Sequence, residues 1–136
     1  MVVEHIKYTD FNGVEVEEDF LFNFTEAEVA EMQLSFPGGL KGELERIINA
    51  KDQAEIIKVF KKLILRAYGK KSPDGKRFEK SEEISKAFEQ TNAYSQLFMK
   101  LAFDDDAAAK WVNGVMPASF AEAAQNAAAP ALSPVN

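Results

Sequence analysis

The stretch Ile6-Lys7-Tyr8-Thr9-Asp10-Phe11-Asn12-Gly13-Val14-Glu15-Val16 decides the fold, because period-two alternation on both sides of a turn signal specifies a β-hairpin. A two-residue Asn12-Gly13 turn would set Ile6 and Tyr8 against Asp19 and Glu17, apolar beside acid. A three-residue Phe11-Asn12-Gly13 loop, with Gly13 left-handed in a bulge, instead sets Tyr8 opposite Val16 and Val2 opposite Phe22. That register gathers Val2, Ile6, Tyr8, Val14, Val16, Phe20, Phe22 and Phe24 on one face, with Glu4 and Glu18 as exceptions. On the other face it opposes Lys7 to Glu17 and His5 to Asp19, pairs worth about 0.2–1 kcal/mol each. Two strands alone are marginal in water, so this aromatic face needs a cover.

The helices downstream, a partner chain, or both must supply it. Thr25-Glu26-Ala27-Glu28 is a capping box opening a helix to Leu34, which ends before Pro37-Gly38-Gly39. A second helix is expected over Leu40–Asn49. Asp52 caps a third, in which Ile56, Ile57, Phe60, Leu63, Ile64, Ala67 and Tyr68 fall on one stripe, with Gly69 as its left-handed C-terminal cap. Ser72-Pro73-Asp74-Gly75 is a turn, followed by a short extended piece through Phe78. Ser81 and Thr91 each open a further helix, and the capping run Asp104-Asp105-Asp106 precedes the last, over Ala107–Val112, closed by Gly114 and Pro117. The reading is α+β: an N-terminal hairpin (about 2–24) and five or six short helices (about 26–117) in one domain, then an Ala/Pro-rich, largely flexible tail over 118–136.

Composition excludes more than it assigns. The chain has 136 residues, 46% hydrophobic and 28% charged, which is the size and balance of one globular domain. There is no cysteine and one histidine, so disulfides, thiolate catalysis and Cys- or two-His metal sites are out. A net charge of −6 argues against general nucleic-acid binding. Met1–Lys7 lacks the charged and apolar regions of a leader, and no apolar run is long enough to span a bilayer, so no membrane association is expected. His5, on the solvent side beside an acid, reads as surface charge pairing and not as a general base. Asp104-Asp105-Asp106 lacks EF-hand spacing, since Ala109 and Val115 stand where that loop needs Gly and Glu. Gly38-Gly39-Leu40-Lys41-Gly42 and Gly69-Lys70-Lys71-Ser72 match no phosphate-loop pattern. No catalytic residue, metal or cofactor is expected.

Two asymmetries point to contacts with other chains. Between Lys58 and Lys80 nine basic residues face two acids, a local sum of +7 that leaves −13 for the remainder. Lys61, Lys62 and Arg66 are therefore candidate contact residues, and acidic and basic halves suggest head-to-tail association into a homo-oligomer. The second half carries Phe88, Tyr94, Phe98, Met99, Phe103, Trp111 and Met116, from which Tyr94, Phe98 and Trp111 are expected to line a groove for a partner helix.

The order of Asp19–Glu28, Gly38-Gly39-Leu40, Ile56–Gly69, Ser72–Phe78, Phe88–Ser95 and Trp111–Pro117 resembles the tail assembly chaperones of long-tailed, non-contractile phages, especially those of Gram-positive hosts. The resemblance covers nearly the whole chain up to Pro117. It implies a non-enzymatic protein of the host cell cytoplasm that coats the tape measure protein and keeps it soluble. Such a protein leaves as tail tube subunits polymerise and is not in the mature virion. It also implies a longer frameshifted form of the same protein as a partner, with 118–136 as the junction or the short product's tail. The alternative is a structural tail or virion component.

Overall fold

The computed structural model describes residues 1–35, 38, 39, 42 and 53–117. The helix expected over Leu40–Asn49, the Asp52 cap and the tail over 118–136 lie outside the described residues. The order is β1 (Val2–Thr9), β2 (Glu15–Phe22), α1 (Glu26–Ser35), α2 (Gln53–Ala67), β3 (Tyr68–Lys71), β4 (Phe78–Glu79), α3 (Glu82–Glu89), α4 (Asn92–Phe103) and α5 (Asp105–Val115). The class is mixed α+β, as the alternation and capping signals imply.

The hairpin has the expected register, Val2 opposite Phe22, Tyr8 opposite Val16 and His5 opposite Asp19. Gly13 has φ 77°, which only glycine adopts without strain. Its N–H donates to the Asp10 carbonyl at 3.0 Å, and the Asp10 carboxylate accepts from the amides of Asn12 and Val14 at 2.8 and 3.0 Å. Val14, expected on the apolar face, belongs to this turn and is exposed. Lys7 lies opposite Glu17 but pairs diagonally with Glu15 at 2.8 Å, because the Glu17 carboxylate is held by His5.

The sheet is larger than a hairpin. Its order is β1-β2-β3-β4, all antiparallel, with Leu21 opposite Gly69 and Lys71 opposite Phe78. Gly69 is therefore not a left-handed helix cap. It lies in β3 without a positive φ, and a Cβ there would stand 2.6 Å from Phe78 Cε2. The expected extended piece is β4, joined to β3 by a turn in which Ser72 Oγ donates to Asp74 at 2.6 Å and Gly75 takes φ 74°.

Caps set the helix starts. Thr25 Oγ1 accepts from the Glu28 amide at 3.2 Å while Glu28 accepts from the Thr25 amide at 2.9 Å, the reciprocal capping box. Ser81, Thr91 and Asp104 cap α3, α4 and α5. Helix α5 continues through Gly114 and does not stop there: a Cβ at Gly114 would lie 2.6 Å from Val2 Cγ2, so the glycine lets α5 approach β1. The helices cover one face of the sheet, and Phe22, Phe24, Leu63, Ile64, Leu101 and Val115 are fully buried between the layers. Each such side chain contributes about 1.5–3 kcal/mol relative to exposure. Backbone ties seal the layer: the Asn23 amide donates to the Ala67 carbonyl and the Phe24 amide to the Val115 carbonyl, both at 2.9 Å.

Candidate functional site

Phe88 is the hub of the aromatic core. Its ring stacks on Tyr68 at 4.3 Å, meets Phe22 at 5.7 Å and stands perpendicular to Tyr94 at 5.6 Å. Tyr94 continues the chain outward to Phe98 at 5.9 Å, one turn along α4. Trp111 joins at the other end, edge-on to Phe22 at 5.8 Å. The three aromatic candidates thus differ in placement. Tyr94 and Phe98 are half-buried on α4, whereas Trp111 is only 2% exposed and sits inside the core. Among the described residues its indole Nε1 has no hydrogen-bond partner.

The basic candidates stand on the outer face of α2, where Lys61, Lys62 and Arg66 are exposed. Glu89 at the end of α3 links Lys61 to the aromatic ridge. It pairs with Lys61 at 3.0 Å and its charge acts on Tyr94. Burial first, and Glu89 second, push the Tyr94 phenol up to about 12, so it stays a neutral hydrogen-bonding group at physiological pH. Arg66 lies toward the other end of α2, near enough to Lys80 to help lower that ammonium's pKa, although burial is the main cause. Lys80 itself is structural. It donates to the Asn23 carbonyl at 2.7 Å, pairs with Glu28 at 2.6 Å and lies over the Phe24 ring at 5.0 Å, pinning α1 to the end of β2.

The helical repeat of 100° per residue gives α4 three aspects. Ala93, Leu97 and Leu101 face the core. Tyr94 and Phe98 flank it on the side of Phe88. Met99 and Phe103 lie on the opposite flank, 53% and 54% exposed, together with Asn92, whose Nδ2 donates to the Thr9 carbonyl at 2.8 Å. Met99 and Phe103 belong to the aromatic and methionine load of the second half but not to the expected groove. Their i, i+4 spacing, offset from Tyr94 and Phe98 by more than a quarter turn, is the signal that separates the two flanks.

His5 sits on the open face of the sheet, its Nδ1 and Nε2 donating to Asp19 at 2.5 Å and Glu17 at 2.6 Å. Hydrogen bonds to Glu17 and then Asp19 raise its pKa from the ordinary histidine value of 6.5. Among the described residues no three His, Asp or Glu side chains are grouped to hold a metal ion, and no helix is long and apolar enough to cross a membrane. Asp104 spends its carboxylate on the amides of Asp106 and Ala107, both at 3.1 Å.

An exposed cationic helix face beside a half-buried aromatic ridge suits contact with a polypeptide carrying apolar and acidic side chains. Comparison with curated proteins and with solved structures yields no match. A family model described as phage tail assembly chaperone matches residues 1–136, and the chain belongs to that family.

Proposed function

We propose that this protein is a non-enzymatic chaperone that binds the tape measure protein in the host cell cytoplasm, keeps it soluble, and is displaced as the tail tube polymerises. On this reading it is missing from the mature virion, meets the tail tube protein only transiently, and works beside a longer frameshifted form of itself. The observation that supports the reading is the Lys61–Glu89 pair, whose carboxylate also acts on Tyr94, so that one exposed cation of α2 stands close to the Tyr94–Phe98 ridge. A long client helix with apolar and acidic side chains complements such a face, and many weak contacts along one client allow later release. Trp111 acts from within, as packing that holds the sheet beneath α4.

Co-expression with the tape measure protein tests it. Wild-type chain is expected to raise the soluble client fraction and co-purify with it. The triple variant Lys61→Glu, Lys62→Glu, Arg66→Glu is expected to bind about ten-fold more weakly, as three exposed charge pairs at about 0.5 kcal/mol each imply. Its fold should persist with only a modest fall in melting, since the variant loses the exposed Lys61–Glu89 pair, a contact of about 0.2–1 kcal/mol. Insoluble client despite abundant chaperone, or stoichiometric recovery of the chain from finished tails by mass spectrometry, would overturn the reading and favour a structural tail component.

A further inference from the structure

We propose that two copies of this chain associate through the free edge of β1 and the adjoining flank of α4, forming a two-fold dimer with one continuous sheet. This inference is independent of the client and uses the side of α4 opposite to Tyr94 and Phe98.

The edge is open by the geometry of the ladder. The Asp10 amide donates to the Val14 carbonyl at 2.8 Å, and hydrogen-bonded pairs alternate in an antiparallel hairpin. Even residues of β1 therefore turn their backbone groups to β2, and Val3, His5 and Lys7 turn theirs away. No strand lies beyond them among the described residues. The usual safeguards of such an edge are missing or neutralised. β1 runs eight residues without proline, longer than an average strand. Its inward charge, Glu4, is paired with Lys100 at 3.5 Å, and its outward lysine, Lys7, with Glu15 at 2.8 Å.

Side chains select a second copy as the occupant. Asn92 reaches the Thr9 carbonyl on this free side, and Met99 and Phe103 lie within about 40° of Asn92 around the helix. The same side of the molecule thus offers unpaired backbone and two exposed apolar side chains on a neighbouring helix. A two-fold axis through the edge brings α4 against its own copy, so that one contact satisfies both features with one self-complementary patch. Pairing must keep side chains of one face together, which leaves two central registers. The one centred on Ile6 calls on the Thr9 carbonyl, already bonded to Asn92. The one centred on His5 sets Val3 opposite Lys7 of the second copy and leaves that bond intact. This is a closed, isologous contact, unlike the head-to-tail association that the charge asymmetry suggests.

Sedimentation velocity on the full chain tests the proposal. The expected result is a reversible species of twice 15.1 kDa, with slowed amide exchange at Val3, His5 and Lys7 as concentration rises. Val3→Pro removes one outward N–H and spares the β2 ladder, and it should raise the dimer dissociation constant at least ten-fold. Met99→Glu with Phe103→Glu should do the same, with circular dichroism unchanged. The triple α2 charge variant should leave dimerisation untouched. A monomer at every concentration up to the solubility limit would overturn the proposal. So would a dimer that folded Val3→Pro and Met99→Glu/Phe103→Glu chains both retain.

Discussion

The ring of Phe78 in β4 lies over Gly69 in β3, so close that Cε2, Cδ2 and Cζ would stand 2.6 to 2.9 Å from any Cβ built on residue 69. Gly69→Ala therefore forces the ring away and loosens the β3–β4 pair. The expected cost is about 1–3 kcal/mol by chemical denaturation. Adding Phe78→Ala removes the clash, so the double variant should be less unstable than the sum of the singles by at least about 0.5 kcal/mol.

Glu28 serves two partners, accepting from the Thr25 amide at 2.9 Å and pairing with Lys80 at 2.6 Å. Thr25→Ala loses only the cap and should cost about 1 kcal/mol. Glu28→Ala loses the reciprocal half of the box and leaves a partly buried ammonium without its anion, so the larger loss in thermal melts belongs to Glu28.

His5 gives a signed pH dependence. Its pKa is raised from 6.5 by the two carboxylates, so its stabilising contribution is full below that value and is lost as pH rises through the folded pKa. An NMR titration should place the ring's midpoint above 6.5, and Glu17→Gln should bring it down more than Asp19→Asn. A midpoint at or below the ordinary histidine value would contradict the clamp.

Trp111 is the single tryptophan and reports the core directly. Its emission should be that of a buried indole and should change little when client binds. Trp111→Ala should cost about 3–5 kcal/mol. Trp111→Phe should cost far less, because the Nε1–H has no acceptor among the described residues to lose.

The hairpin was legible because pleat and turn chemistry constrain each other: only the Phe11-Asn12-Gly13 loop puts Tyr8 beside Val16. The caps at Thr25, Ser81 and Thr91 were legible because few residue types suit that place, whereas Asp104-Asp105-Asp106 marked a helix start without showing that Asp104 is the cap. Strand β3 was not. The apolar stripe of α2 continues smoothly into Tyr68, and Gly69 then looks like a helix cap. Only the distant Leu21 and Phe22, which pair with Gly69 and Tyr68, show that the chain has turned into the sheet. Gly114 misleads in the same way, since its neighbour Val2 is remote in sequence. At the candidate site, the types of Lys61, Tyr94 and Phe98 suggested contact, and Glu89 brings the first two together. An aromatic count could not distinguish the enclosed Trp111 from the exposed Phe103.

The two ends of the sheet are unequal. β1 offers eight residues, while β4 is two residues long. Fibrous polymers propagate only when every added unit leaves a fresh template behind it, and a rim as brief as β4 offers almost none. Growth of an amyloid-like fibre from this sheet is thereby blocked at the step where it would otherwise begin.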